Sequence, residues 1–242
     1  MTKAAIHHHL GLGDHIDCNG MIRYLMEKNE YEQLDVIAKH QYSEMVSYMY
    51  RDDKRIKVVS IDANNAEEEY SEVYLYRNLN PEKEFITVGH EYYRETPGEY
   101  KNCWEYFYEQ MEMPHEIKVD YFKVEPDEAE EDRVFQKLNP DNEDFIFVHD
   151  ICSYGKVDLN IDSDLKIIRN DISENIFHFT QILREAKEIH LMESSFKSMV
   201  EHFPTNGKLY FHNNREHPLG KTFKEWNVLE YEEFSTYQKD KK

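Results

Sequence analysis

Residues 7 to 20, HHHLGLGDHIDCNG, run three histidines into a glycine-spaced stretch with an acid at its centre. Imidazoles and carboxylates move protons near neutral pH and ligate transition metals, while glycine lets the main chain turn tightly and approach a ligand closely. Gly11, Gly13 and Gly20 are three of only eight glycines in the chain, so the local need for backbone freedom is concentrated here. Side chains of consecutive strand residues point to opposite faces, so at most His7 and His9 share a side. Neither that pair nor any HExxH pattern is accompanied by a second ligand cluster, and no metal site is expected. A dinucleotide fingerprint would need its third glycine at residue 16, where Ile16 stands, and no acid clearly ends the second strand, which argues against NAD. Two uses of the stretch stay open. It is a ligand-binding turn with Asp14 facing a cleft, or a plain turn with Asp14 capping the helix that follows.

Two later segments carry comparable chemistry. FVHDICSYGK, residues 147–156, sets His149, Asp150, Ser153 and Lys156 at the end of an apolar run. EAKEIHLMESSFKSMVEHF, residues 185–203, reads as a buried strand followed by Ser194, Ser195 and Phe196 at a helix start. There hydroxyls and unpaired N–H groups could hold a diphosphate, or Ser194 could simply be an N-cap.

The elements that must position these residues alternate. A strand at 3–9 is followed by a helix whose apolar face is Cys18, Met21, Ile22 and Leu25, at i, i+3, i+4, i+7. Next come the strand LDVIAK, a helix with Tyr42, Met45, Val46 and Met49 inward, and the strand IKVVSI; a helix around Tyr70, Val73 and Tyr74 and the strand EFITVG complete the series. Strands separated by helices imply parallel pairing with right-handed crossovers. Residues 91–143 break the rhythm with a Tyr-rich loop, a helix holding Trp104, Phe107, Tyr108 and Met111, and the acidic stretch EPDEAEEDRVFQKLNPDNED. That stretch reads as a linker or boundary with a solvated face and a buried side at Val134, Phe135 and Leu138. From Phe145 a second alternation runs through FIFVHD, LKIIR, a helix over 174–187, EIHLM, the helix SSFKSMVEHF, KLYFHN and WNVLEY, and residues 235–242 read as a frayed tail. The expected fold is α/β, with two Rossmann-like halves, residues 1–125 and 126–242, built on mostly parallel sheets, and a ligand cleft between them.

Composition excludes several classes. The formal net charge is −20, from 49 acids against 29 bases, which disfavours nucleic acid and anionic membranes as general partners. Apolar content of 40% with thirteen Phe and eighteen Tyr rules out a disordered chain. Three widely spaced cysteines, Cys18, Cys103 and Cys152, without a CxxC pair read as reduced thiols, and no disulfide framework is expected. With no signal peptide and no window approaching 18 apolar residues, the expected location is the cytoplasm, with no integral membrane segment.

The opening GLGDHIDCNGMIR resembles the first-strand turn of bacterial heptosyltransferases and is similar to the Gly-Gly-Leu-Gly-Asn opening of fucosyltransferases. ESSFKSMVEHF resembles the donor-contacting SSFS segment of fucosyltransferases and the Asp-Thr/Ser-Gly-x-x-His segment of heptosyltransferases. Both families have the GT-B fold. The resemblance implies a cytoplasmic, inverting, metal-independent glycosyltransferase that moves a sugar from a nucleotide-sugar donor to a glycan or other hydroxyl acceptor. Asp14 would be the catalytic base. Gly11, Gly13, His15 and Asn19 would form the acceptor-side loop of the first half, the acceptor domain. His149, Asp150, Ser153, Lys156, Arg169, Ser194, Ser195 and Phe196 would bind the donor in the second half. Beyond the nucleotide sugar as co-substrate, no cofactor is implied. The fucosyltransferase His-x-Arg pattern is broken, since Ile151 stands where the arginine belongs; Lys156, Arg169 or Arg215 could supply the cation. The alternative is a non-catalytic sugar- or nucleotide-binding module on a degenerate GT-B fold. A metal-dependent hydrolase would rest on the histidines alone.

Overall fold

The computed structural model describes residues 2–90, 101–152, 155–159, 161–213 and 219–231. Ser153, Arg215, the Tyr-rich loop over 91–100 and the tail over 235–242 lie outside the described residues. The chain divides into two compact units, Met1–Glu125 and Pro126–Lys242.

Unit 1 runs β1 (Lys3–His7), α1 (Leu12–Asp17), α2 (Asn19–Lys28), β2 (Gln33–Lys39), α3 (His40–Met49), β3 (Ile56–Ile61), α4 (Ala66–Leu79), β4 (Glu84–Thr87), α5 (Cys103–Gln110) and α6 (Ile117–Asp120). Its four strands are all parallel, in the order β3-β2-β1-β4. β1 and β2 are the central strands, and Ala4, Ala5, Ile6, Leu34, Val36, Ile37 and Ala38 are all fully buried. Such runs without alternation are what a parallel strand covered on both faces requires. Asp35 is the exception within β2. It accepts from Gln33 Nε2 and Tyr76 Oη and pairs with Lys83 Nζ at 2.5 Å, which ties the end of α4 to the sheet.

The helix expected after β1 is two helices. α1 begins at Leu12, so Gly13 is helical and not part of a loop, and Gly20 lies inside α2. The expected apolar face holds: Cys18, Met21, Ile22 and Leu25 are buried, and burial pushes the Cys18 thiol well above its ordinary pKa. In α4 the inward stripe is Glu69, Val73 and Tyr76; of the expected set Val73 alone is inward, and Tyr70 and Tyr74 are exposed. Glu69 takes the inward position because hydrogen bonds there compensate its charge. Asn65 caps this helix by accepting from the Glu68 N–H at 3.0 Å.

Unit 2 runs α7 (Glu128–Leu138), β5 (Phe145–His149), the short strands β6 (Ile151–Cys152) and β7 (Gly155–Lys156), and β8 (Lys166–Arg169). It continues with a 3-10 turn (Ile176–Phe179), α8 (Thr180–Glu185), β9 (Glu188–Leu191), α9 (Ser195–Val200), β10 (Lys208–Asn213) and β11 (Asn227–Glu230). The five-stranded sheet is parallel throughout, ordered β11-β10-β9-β5-β8, with β6 and β7 forming a separate antiparallel pair. β5, an interior strand buried along its length, is the run FIFVH. The acidic stretch read as a linker is mostly α7, a helix of unit 2 anchored by Val134 and Phe135, with Leu138 half-buried. Among the described residues no helix is long and apolar enough to cross a membrane.

Candidate functional site

In unit 1 the chain steps from β1 to β2 to β3 on one side and then returns to place β4 on the other side of β1. A parallel sheet opens a crevice outside the carboxyl ends of its strands where its order reverses in this way. β1 ends there with His7, and β4 is followed by Gly89 and His90. Gly89 has φ +88°, a conformation that favours glycine, and a Cβ on it would stand 2.3 Å from the Phe107 ring. The turn brings His90 over the end of β1, where its ring stacks on His7 at 4.1 Å and meets His9 edge-on at 5.0 Å.

The histidine run is therefore split as strand geometry predicts. His7 and His9 share His90, and His8 points the other way, against His15 at 4.5 Å. His8 and His15 are fully buried. Burial lowers His8 to about 3 and holds His15 well below its ordinary pKa, so both are neutral packing groups at neutral pH. On the His7 side, Glu69 accepts from His7 Nε2 at 3.1 Å and from Lys39 Nζ at 3.0 Å. Desolvation raises its pKa, but the bonds from His7 and Lys39 outweigh this and bring it to about 2. Tyr70 Oη lies 3.2 Å from His90 Nδ1.

Asp14 stands in the first turn of α1 but is not the N-cap, which is Gly11. Its carboxylate folds back over Gly11, and its oxygen, a His9 ring nitrogen and Cys103 Sγ lie within 4.8 Å of one another. Of the four residues expected on an acceptor-side loop, Gly11 alone precedes the helix. Gly13 belongs to α1. His15 and Asn19 are fully buried in α1 and α2, where they cannot meet a ligand without unpacking the unit. Asn19 instead clamps the Lys123 backbone, accepting from its N–H at 2.8 Å and donating to its carbonyl at 3.2 Å.

In unit 2 the order reverses at β5, with β8 on one side and β9 on the other, and His149, Asp150, Arg169, Ser194 and Ser195, expected from sequence to bind a donor, lie at or just beyond the carboxyl ends of these strands. His149 ends β5, hydrogen-bonds Asn170 Oδ1 through Nδ1 at 2.8 Å and packs on Phe196 at 4.6 Å. Burial lowers the His149 pKa. Asp150, almost fully buried, receives Arg169 Nε at 3.0 Å and has Lys156 Nζ at 3.9 Å. Ser194 is the N-cap of α9 by position, yet its buried Oγ makes no hydrogen bond among the described residues. Ser195 opens α9 and is half-buried; Phe196 packs into the core against Phe147 and Phe179.

Four residues at these two crevices were missed from sequence: Glu69, His90, Asn170 and Lys197. Glu69 sits in the acidic run EEE, which reads as a solvated helix face; His90 directly follows the strand EFITVG, and that adjacency was the signal for it. Lys197 is buried and bonded to Glu193 at 2.9 Å.

No protein-family model matches the sequence, and no curated protein matches it. Solved structures do match. A glycosyl transferase family 9 protein of Veillonella parvula superposes with a TM-score of 0.59 at 10% identity, over 95% of this chain and 86% of that one. The ADP-heptose lipopolysaccharide heptosyltransferase II of E. coli gives 0.58 at 9% identity, over 95% and 90%. The E. coli heptosyltransferase WaaC with ADP-2-deoxy-2-fluoro heptose gives 0.50 at 7%, over 95% and 93%. The chain has their GT-B-like fold. At such identities the likeness concerns the fold, and function must be argued from the sites. On this GT-B-like fold both candidate sites occupy the carboxyl edges of their sheets.

Proposed function

We propose that the protein is a glycosyltransferase in which unit 1 presents the acceptor to Asp14 and unit 2 binds a nucleotide-activated sugar. The Asp14 carboxylate takes the proton of the acceptor hydroxyl, and the resulting oxygen attacks the anomeric carbon from the face opposite the leaving group. The sugar–phosphate C–O bond breaks with its electron pair going to the nucleotide, and the anomeric configuration inverts. This step needs no metal ion at the reacting atoms. His149, Asp150, Ser194 and Ser195 are the donor-side groups, with Ser194 Oγ offering an uncommitted hydroxyl to a phosphate or sugar oxygen.

The observation that carries this reading is the position of the Asp14 carboxylate, folded over Gly11 where β1 gives way to α1, on a fold shared with glycosyltransferases. The test is a thermal-shift screen with ADP-, GDP-, UDP- and CMP-sugars, followed by assay of donor hydrolysis and transfer. A stabilising donor that is turned over supports the assignment; stabilisation by none of them overturns it.

One observation favours a second reading, a non-catalytic sugar- or nucleotide-binding module. Arg169 and Lys156 both face the Asp150 carboxylate, so these two cations are already engaged. A donor that binds and is never hydrolysed or transferred selects this reading.

A further inference from the structure

We propose that His7, His90 and Glu69 form a binding site for one divalent transition-metal ion, with zinc the best match. This goes beyond the transfer reading and does not depend on it, because the ion is given no part in the step assigned to Asp14.

Three elements remote in sequence supply the donors: the end of β1, the turn after β4 and the first turn of α4. The donor atoms lie within 4.8 Å of one another, and His7 Nε2 is 3.1 Å from Glu69 Oε1. Two ligands about 2.0–2.2 Å from one tetrahedral ion stand roughly 3.4 Å apart, so this pair is already at ligand spacing. His90 Nε2 is buried and makes no hydrogen bond among the described residues.

The outer contacts point the same way. Tyr70 Oη sits at His90 Nδ1, where accepting from Nδ1–H leaves the lone pair on Nε2, and Lys39 holds Glu69 Oε2, leaving Oε1 for the ion. Metal-ligating imidazoles characteristically have their second nitrogen engaged in this manner. Two imidazoles and a single carboxylate select zinc and its transition-metal neighbours over magnesium or calcium, which prefer all-oxygen shells. The His7 and His90 rings stack with 20° between their planes. Coordination turns the His90 ring out of that stack so that both lone pairs meet one ion, with the fourth position left to water or a ligand oxygen.

The neighbouring trio His9, Asp14 and Cys103 is the competing location, and its thiol makes the two distinguishable. The full chain is stripped with a chelator and titrated with Zn2+ alone, and separately with Co2+ as a spectroscopic probe. Expected are one equivalent of zinc, Co2+ d–d bands without thiolate charge transfer, and binding unchanged in Cys103→Ser. His90→Ala should weaken binding about 100-fold or more, and Tyr70→Phe, on an exposed part of α4, about 10-fold. Absence of stoichiometric uptake, uptake undiminished in His90→Ala with its circular dichroism intact, or uptake lost in Cys103→Ser would each overturn the proposal.

Discussion

Asp14 Oδ2 stands 2.7 Å from the point that a Cβ on Gly11 would occupy. Gly11 has φ −72° and ψ 149°, which any residue adopts, so glycine is needed there for room and not for backbone freedom. Gly11→Ala therefore displaces the carboxylate while leaving the fold within about 1 kcal/mol of wild type. Turnover should fall on the order of 10²-fold, as for a catalytic group moved by about an ångström. Asp14→Asn should lower it by about 10²–10⁴. Steady-state transfer assays beside urea unfolding curves test both variants, and unchanged turnover in Asp14→Asn removes it as the base.

Gly20 should behave oppositely. A Cβ there would lie 2.4 Å from the Ile117 carbonyl oxygen and 2.8 Å from that of Lys118, both backbone atoms of α6. Gly20→Ala should destabilise unit 1 by about 1–3 kcal/mol or more, as α2 and α6 are forced apart. Denaturant unfolding measures the loss, and nucleotide-sugar binding in unit 2 should be unaffected.

On the donor side, Ser194→Ala should leave stability within about 0.5 kcal/mol, since Ser194 Oγ makes no capping bond. Donor affinity should nevertheless fall. Arg169→Ala should weaken donor binding roughly 10- to 100-fold, the scale of a charge-assisted phosphate contact worth about 1.5–3 kcal/mol. Calorimetric titration at low and high salt checks both, and wild-type affinity in Arg169→Ala means that this arginine serves Asp150 alone.

A chain of hydrogen bonds links Glu188, His190, His212 and Tyr231 across β9, β10 and the residue after β11, with His190 Nδ1 to His212 Nε2 at 2.9 Å. Burial lowers both imidazoles, His212 to about 4 with His190 adding repulsion. Between the folded values and about 6.5 the unfolded chain binds more protons than the native one. Stability is thus fully present above about pH 7 and declines as pH falls through 6.5, for His212 towards about 4, by at most about 1.4 kcal/mol per pH unit for each histidine. His212→Asn should flatten the slope of unfolding free energy against pH, and an unaltered slope shows that this pair carries none of it.

The alternation of strands and helices was legible where a parallel strand is an apolar run or a helix has one apolar stripe, and less so for the exposed edge strand β11 or for α4, whose inward face includes Glu69. FIFVH and the face Cys18, Met21, Ile22 and Leu25 are direct examples. The candidate site was legible only where it lies on consecutive residues. Asp14 and the His7/His9 side could be read from spacing, whereas Glu69 and His90 reach them through strand order, which no local pattern encodes. The three glycines looked like one loop because composition does not reveal that one makes room for a carboxylate and another for a neighbouring helix. Buried polar residues misled in the same way: His15 and Asn19 resemble binding groups until their packing is known.

Cys18 is sealed between α1 and α2 with its thiol held protonated. The thiolate, not the thiol, attacks an alkylating reagent, so this sulfur stays silent until the two helices part. Its modification rate in Cys103→Ser/Cys152→Ser protein therefore works as a clock on the opening of unit 1 alone. A chain of two units need not unfold in one transition, and this sulfur lets the opening of one be timed without reference to the other.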